Sequence, residues 1–551
     1  MERLRGLPKD EGGMIPIPDL LCAEAAVRVD AAALRQTLVF AFAAGGAMES
    51  FDAAIARASL PQSSWGRATF ARDIYLDELI ERCLALRIGD KVYRTCGRYL
   101  ARVIGEPPRD PRHVEVRRAV LAELAASPGA REALERVYVA VVRLRTLLCA
   151  ARQPAPRVRR VEILRAARET FDLLGTSFEG STSALRRLRD FGEAVMATDS
   201  YRRLVDLLDH EEHLGSLDLR VRIGADGEVR AMEIVAVREN KDNSFYVSAF
   251  RRLLMRFILF LRGYRTTGGE VAERLLSDVF SGIEEPVVLL FQLLGDIEPF
   301  LASLSFRDGA LEKGLSVSLP ELVESGSVRL EGLFNPLLLE AGIVPVTCDV
   351  RAPRGAIVIV TGPNSGGKTR LLQGIAIVQL FAEAGLFAPV RSATLPRASG
   401  LFASLFEEAR SDQPEGHLGM ELLRIRRVFD ELETGALVVI DELCSGTNPS
   451  EGEEIARLVL SLLPELGVQA FVTTHLLQFA ARLAEETEQR KVSSLHFLQV
   501  ELDPYERPTY RFGPGVARTS LAHKTAERLG VTREELLERI EAKKRARAKR
   551  V

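Results

Sequence analysis

The chain has 551 residues, a formal net charge of -2 and 47% hydrophobic residues. That length accommodates about three domains. The near-neutral charge excludes a uniformly basic nucleic-acid coat while leaving local basic patches open. The 6 cysteines form no CxxC pair, which argues against a disulfide framework and against a zinc ribbon.

Residues 1–30 form an N-terminal segment, and its start, Met1 to Asp10, has no apolar core of the kind a signal peptide needs. The most apolar runs, 253–261 and 287–294, fall short of the ~18 residues that cross a bilayer. The expected setting is therefore cytoplasmic, with no membrane contact.

Residues 31–330 are expected to form a helical core or lever-like region, and from about 30 to 210 they read as helix after helix, rich in the helix formers Ala, Leu, Arg and Glu. Between Val116 and Leu148, apolar residues recur at steps of three and four, interrupted by the turn signal Ser127-Pro128-Gly129. Gln153 to Pro156 reads as a linker. A helix with a dense arginine face follows (Arg157, Arg159, Arg160, Arg165, Arg168). The period changes to two at Leu217 to Ile223 and again up to Val237, with a Gly-rich turn between, which predicts a β-hairpin. Long helices resume over 244–305.

After Leu330 the pattern becomes α/β. Short apolar runs at 356–360, 437–440 and 470–472 alternate with helices, as parallel strands buried on both faces do. The expected fold class is thus mixed. An all-α core or lever region with a small hairpin leads into an α/β nucleotide-binding domain over 331–520. Residues 521–551 form a closing helix and a basic tail.

The chemistry is concentrated in three strand ends. Gly362-Pro363-Asn364-Ser365-Gly366-Gly367-Lys368-Thr369 follows a predicted strand and opens a helix, the context of a P-loop. Its glycines let backbone N–H groups curl toward phosphates, and Lys368 supplies a point charge to the β- and γ-phosphates. The Thr369 hydroxyl is the expected ligand for Mg2+. Asp441 and Glu442 end the strand 437–440; two adjacent carboxylates there call for a cation. Asp441 is expected to hold Mg2+ and Glu442 to polarise the attacking water. His475, behind a third apolar run, is a candidate γ-phosphate sensor. ATP and Mg2+ are the cofactors these residues predict.

These motifs resemble those of the MutS family, the ABC-class ATPases of DNA mismatch repair. The resemblance is carried by Thr361 to Thr369, by Phe334-Asn-Pro-Leu-Leu338 and Ala384-Gly-Leu-Phe-Ala-Pro389, and by Asp441 to Gly452. Thr473-Thr-His475 and the run from Tyr510 to Gly530 extend it. It implies an ABC-class ATPase that works as a homodimer and binds double-stranded or branched DNA, alongside repair or recombination proteins. The wedge Phe-x-Glu that stacks on a mispaired base has no counterpart, since Phe178-Glu179 lacks its spacing. The resemblance leans toward the second bacterial branch, and the expectation is a shortened member without the mismatch-recognition domain and without an Smr nuclease domain. The segment that aligns with the ABC signature loop, Gly416-His417-Leu-Gly-Met420-Glu421, lacks the usual Ser-Thr run.

Two functional readings stand at this point. One is an ATP-gated dimeric clamp on DNA, serving mismatch repair or recombination. The other is an ATP-gated dimerisation or scaffold module without DNA contact. The arginines of 157–168, the basic residues of 238–256 and the tail 543–550 are either phosphate contacts or ordinary solvated helix faces.

Overall fold

The computed structural model describes residues 7–8, 14–150, 156–212, 217–223, 229–237, 268–405, 417–444, 448–490, 494–518 and 531–548. The chain divides into two units, Met1–Ser59 with Glu123–Ile297, and Leu60–Ala122 with Glu298–Val551. Leu60–Ala122 and the residues from Glu298 onward group with the strand-rich part, because their contacts are made there.

The first unit is helical. Ser127 ends the helix Pro111–Ala126 and caps the next, Pro128–Cys149, by accepting the Ala130 N–H at 3.3 Å. Phe42 stacks on Phe280 at 4.0 Å and Phe51 on Phe291 at 4.4 Å between ring centroids. The strands Leu217–Ile223 and Val229–Val237 pair antiparallel, as the alternation predicts. A buried charge cluster ties the chain's start to the helix Gly268–Glu312. Asp19 accepts the Leu21 N–H at 2.8 Å and the Arg28 Nε–H at 3.3 Å, and Arg28 also pairs with Asp296. Gln292 accepts the Arg28 N–H at 2.7 Å. The Leu276–Glu312 part of that helix is apolar and long enough to cross a membrane. Its most apolar window is wholly buried inside the protein, as a core helix is.

The arginine face of Pro156–Thr176 is largely consumed internally. Arg159 is buried. It donates to Ala41 O at 3.0 Å, Phe42 O at 2.7 Å, Leu147 O at 3.1 Å and Leu148 O at 3.4 Å, capping the carboxyl ends of Ala31–Ala44 and Pro128–Cys149. Arg165 pairs with Glu162 at 2.8 Å, and Arg168 with Asp209 at 2.9 Å. Residues 238–256 and the side chains of 543–550 lie outside the described residues.

In the second unit the strands from residue 321 onward are β1 (Glu321–Val323), β2 (Val328–Leu333), β3 (Cys348–Ala352), β4 (Ile357–Thr361), β5 (Ser392–Pro396), β6 (Leu401–Ser404), β7 (Leu437–Ile440), β8 (Gln469–Thr473), β9 (Leu495–Leu502) and β10 (Pro508–Pro514). The principal sheet has the order β6-β7-β8-β4-β9-β10, parallel except for the last pair. Residues 357–361, 437–440 and 469–473 are buried throughout, as parallel strands covered on both faces require. A second sheet, β1-β5-β2-β3, lies in the same unit. The helix α1 (Lys368–Ala384) follows β4. The helices α2 (His417–Glu431), α3 (Pro449–Leu462) and α4 (Leu477–Arg490) complete the alternation.

Candidate functional site

The carboxyl ends of β4, β8 and β7 are neighbours in the sheet, and open α/β sheets bind their ligands at such strand ends. The loop leaving β4 needs unusual backbone. Gly362 has φ 149 and Gly367 φ 87. A Cβ on Gly362 would come within 2.5 Å of the Val500 side chain. Gly367 is the residue at which the chain turns into α1, so the N–H groups of the first turn stay open toward the loop. Ser365, with φ 66, accepts the same left-handed conformation despite its side chain.

Lys368 is buried, and its ammonium donates to Gly362 O at 3.0 Å and Pro363 O at 3.2 Å. Burial pulls its pKa below the ordinary lysine value, opposed by the charges of Asp441 and Glu442. Thr369 donates its hydroxyl to one oxygen of Asp441, and Thr473 donates to the other. The same Thr473 oxygen accepts the Glu442 N–H at 2.7 Å. That bond secures Glu442 in a left-handed conformation, φ 51. Asp441 is pinned through its backbone as well. Its N–H donates to Ser404 O at 2.9 Å, and its carbonyl accepts from Arg424 at 2.8 Å.

A cavity of about 640 Å³ opens over this loop. One side is the loop itself with Glu442; the other is an apolar wall including Ile343, Val344 and Val346, with Tyr510 beside it. Those four side chains are exposed, at 54%, 66%, 42% and 49%.

The structure thus gathers Lys368, Thr369, Asp441 and Glu442, and Asn364 to Thr369 line the cavity. Gly362 and Pro363 serve from behind, as acceptors for Lys368. His475 follows β8 in an exposed turn, its carbonyl accepting the Leu477 N–H at 2.9 Å, and it does not line the cavity. Gly416 and the side chains of His417, Met420 and Glu421 lie outside the described residues.

The sequence alone does not single out the supports. Thr473 stands only as the start of Thr-Thr-His, and Arg424 sits in an ordinary-looking helix. Asn335 donates to Gln373 Oε1 at 2.8 Å and to Arg370 O at 3.1 Å, holding α1 from beneath. A buried Gln in the middle of an apolar helix was the available signal for that contact.

Among the described residues no group of three or more His, Cys, Asp or Glu side chains could hold an ion alone. The Thr369 hydroxyl and Asp441 carboxylate instead offer hard oxygens of the kind a partly hydrated magnesium ion takes when substrate phosphates complete its shell.

These features define a mixed α/β protein with a glycine-loop site at the carboxyl ends of a parallel sheet. Residues 358–546 match the family model of MutS domain V. Endonuclease MutS2 of Thermus thermophilus is 32% identical over 284 residues, covering 51% of this chain and 36% of the relative. Endonuclease MutS2 of Thermomicrobium roseum is 33% identical over 240 residues, covering 41% and 30%. That of Brevibacillus brevis is 27% identical over 375 residues, covering 60% and 46%. Over this C-terminal part the chain is similar to the MutS family. It spans less than half the length of these curated relatives.

Proposed function

We propose that the chain binds and hydrolyses ATP and that this cycle drives a dimeric clamp acting on DNA. The observation that carries the reading is the pairing of Thr369, in the first turn of the helix behind the glycine loop, with Asp441 at the neighbouring strand end. The donor set fits a nucleotide and a divalent cation.

Magnesium, when bound, supplies charge neutralisation at the β- and γ-phosphate oxygens. Thr369 and Asp441 are the residues that would hold it. Gly367 and Lys368 offer backbone N–H groups at a helix N-terminus, a ready anion site, while the Gly366 N–H donates to Pro363 O at 3.1 Å. Lys368 would exchange its two loop carbonyls for phosphate oxygens. Glu442, on the cavity rim, would orient the attacking water and accept its proton. His475, two residues beyond the end of β8, is assigned the sensing role on that placement. The apolar wall at Ile343 to Val346 and the Tyr510 ring suit the base and sugar.

The DNA-directed part rests on the family and on relatives whose name is Endonuclease MutS2; no nuclease activity is assigned to this chain. A second reading, an ATP-gated scaffold without DNA contact, is favoured by one observation. Arg159, Arg165 and Arg168 are engaged within the protein rather than presented to a ligand.

Two experiments test these readings. A Lys368→Ala variant that hydrolyses ATP at the wild-type rate overturns the site. Mobility-shift titrations on mismatched, homoduplex and four-way-junction DNA, with and without a non-hydrolysable ATP analogue, separate clamp from scaffold. Binding that falls steeply with salt supports the clamp, and absence of binding in every arm supports the scaffold.

A further inference from the structure

The segment Leu60–Ala122 precedes the glycine loop by more than two hundred residues, yet it belongs to the same unit. It runs along β6, the edge strand of the principal sheet. Thr69 donates to Leu401 O at 2.7 Å at the start of that strand, and Trp65 donates to Ala398 O at 3.1 Å just before it. At the other end, the carboxylate of Asp73 accepts the N–H of Leu405 at 2.8 Å. Leu405 is the residue after β6, and its neighbour Ser404 supplies the carbonyl that pins the Asp441 N–H.

The backbone of Asp73 points elsewhere. Leu76 N–H returns to Ala71 O at 2.9 Å and Tyr75 N–H to Arg72 O at 3.1 Å, with Tyr75 in the left-handed region at φ 54. This is the closure of a Schellman turn, and it releases the Asp73 carbonyl from helical pairing. That carbonyl accepts the Gln373 amide at 3.1 Å. Gln373 is fully buried on α1, one turn beyond Thr369, and its oxygen is already taken by Asn335 and Arg370, each at 2.8 Å.

We propose that Asp73 is a positioning residue for the nucleotide site: it ties the end of β6 to α1 and thereby fixes the spacing of Asp441 and Thr369. One residue grips both supports. Its carbonyl holds the helix that carries Thr369, and its carboxylate holds the strand end against which Asp441 is pinned. The inference rests on the ATP reading above, because the spacing it sets is that of the magnesium-holding pair.

The test uses the full chain and a fluorescent ATP analogue, titrated once with Mg2+ and once with EDTA, beside thermal unfolding without nucleotide. Asp73→Ala leaves the buried Leu405 N–H without its acceptor. It is expected to lose about tenfold in the affinity gained from Mg2+, while affinity in EDTA stays within about twofold. Asp73→Asn keeps an oxygen for that N–H and restores the gain. Gln373→Met cuts the link from the α1 side and reproduces the loss, which covers the case of an Asp73→Ala chain that does not fold. The assignment is overturned if Asp73→Ala keeps the wild-type gain, if affinity falls equally in both titrations, or if Asp73→Asn behaves as Asp73→Ala. A wild-type chain that binds no nucleotide in either titration takes down the ATP reading and this assignment with it. Wild-type binding with an unaffected Asp73→Ala takes down the assignment alone.

Discussion

Thr473 and Asp441 are joined from adjacent strand ends by a hydroxyl–carboxylate hydrogen bond, and the same hydroxyl oxygen accepts the N–H of Glu442. A single threonine therefore holds the Asp441 carboxylate and the backbone of Glu442. Thr473→Val keeps the shape and removes both bonds. Its turnover is expected to fall at least about tenfold with nucleotide affinity little changed, because a freed Glu442 backbone misplaces the base more than the phosphate cradle. Steady-state hydrolysis paired with equilibrium binding checks this; an unchanged turnover number refutes the role.

Glu442→Gln retains the side-chain volume but accepts no proton. Hydrolysis should fall by about a hundredfold or more while ATP still binds. Single-turnover measurements read the chemical step directly. A variant with near-wild-type turnover would move the base elsewhere.

Lys368 carries a pH signature. Burial holds its pKa below the ordinary lysine value of 10.5 in the nucleotide-free protein, and a bound polyphosphate raises it again. Binding consequently takes up a proton between the lowered free value and the raised bound one. Affinity should decline with rising pH across a window that begins below 10.5. A Lys368→Arg chain, charged throughout, should show no such decline. A flat wild-type profile at alkaline pH contradicts the assignment.

The buried cluster in the helical unit predicts an acid effect. Burial pushes the Asp19 carboxyl up, but Arg28 and the N–H groups of Leu21 and Ala26 outweigh it, and the pKa ends below the ordinary 3.8. A carboxylate depressed in the folded state adds stability above its unfolded pKa and loses it as pH falls through the folded value. Asp19→Asn should cost about 3 kcal/mol near neutrality. Its deficit against wild type should narrow as pH drops below 3.8. Denaturant titrations at several pH values measure the gap.

Arg159→Met removes the donor that four carbonyls at two helix ends share. A loss of about 2–3 kcal/mol is expected, read as a lowered midpoint in denaturant. If the residue were a phosphate contact instead, stability would hold and DNA affinity would fall.

The strands and the glycine loop were readable because their signals are local. Ile357 to Thr361 is apolar at every position but the last, and Gly362 to Thr369 announces its own turn and helix start. Asp441 and Glu442 were readable for the same reason, since a charge pair closes an apolar run. The supports were not. Asp73 meets Gln373 across three hundred residues of chain, and no periodicity connects them. Arg159 looked like part of a charged face because sequence spacing gives a helix's sides but not what each side meets. Here, one arginine of that face meets the carboxyl ends of two other helices.

The ammonium of Lys368 already rests on two carbonyls of its own loop. On the proposed reading, a triphosphate arriving there would swap partners rather than fill an idle donor, so the lysine would contribute less net affinity than an unengaged charge. Discrimination between ATP and a bare polyphosphate then falls to the opposite bank of the cavity, where Ile343, Val344, Val346 and the Tyr510 ring have no charge to exchange.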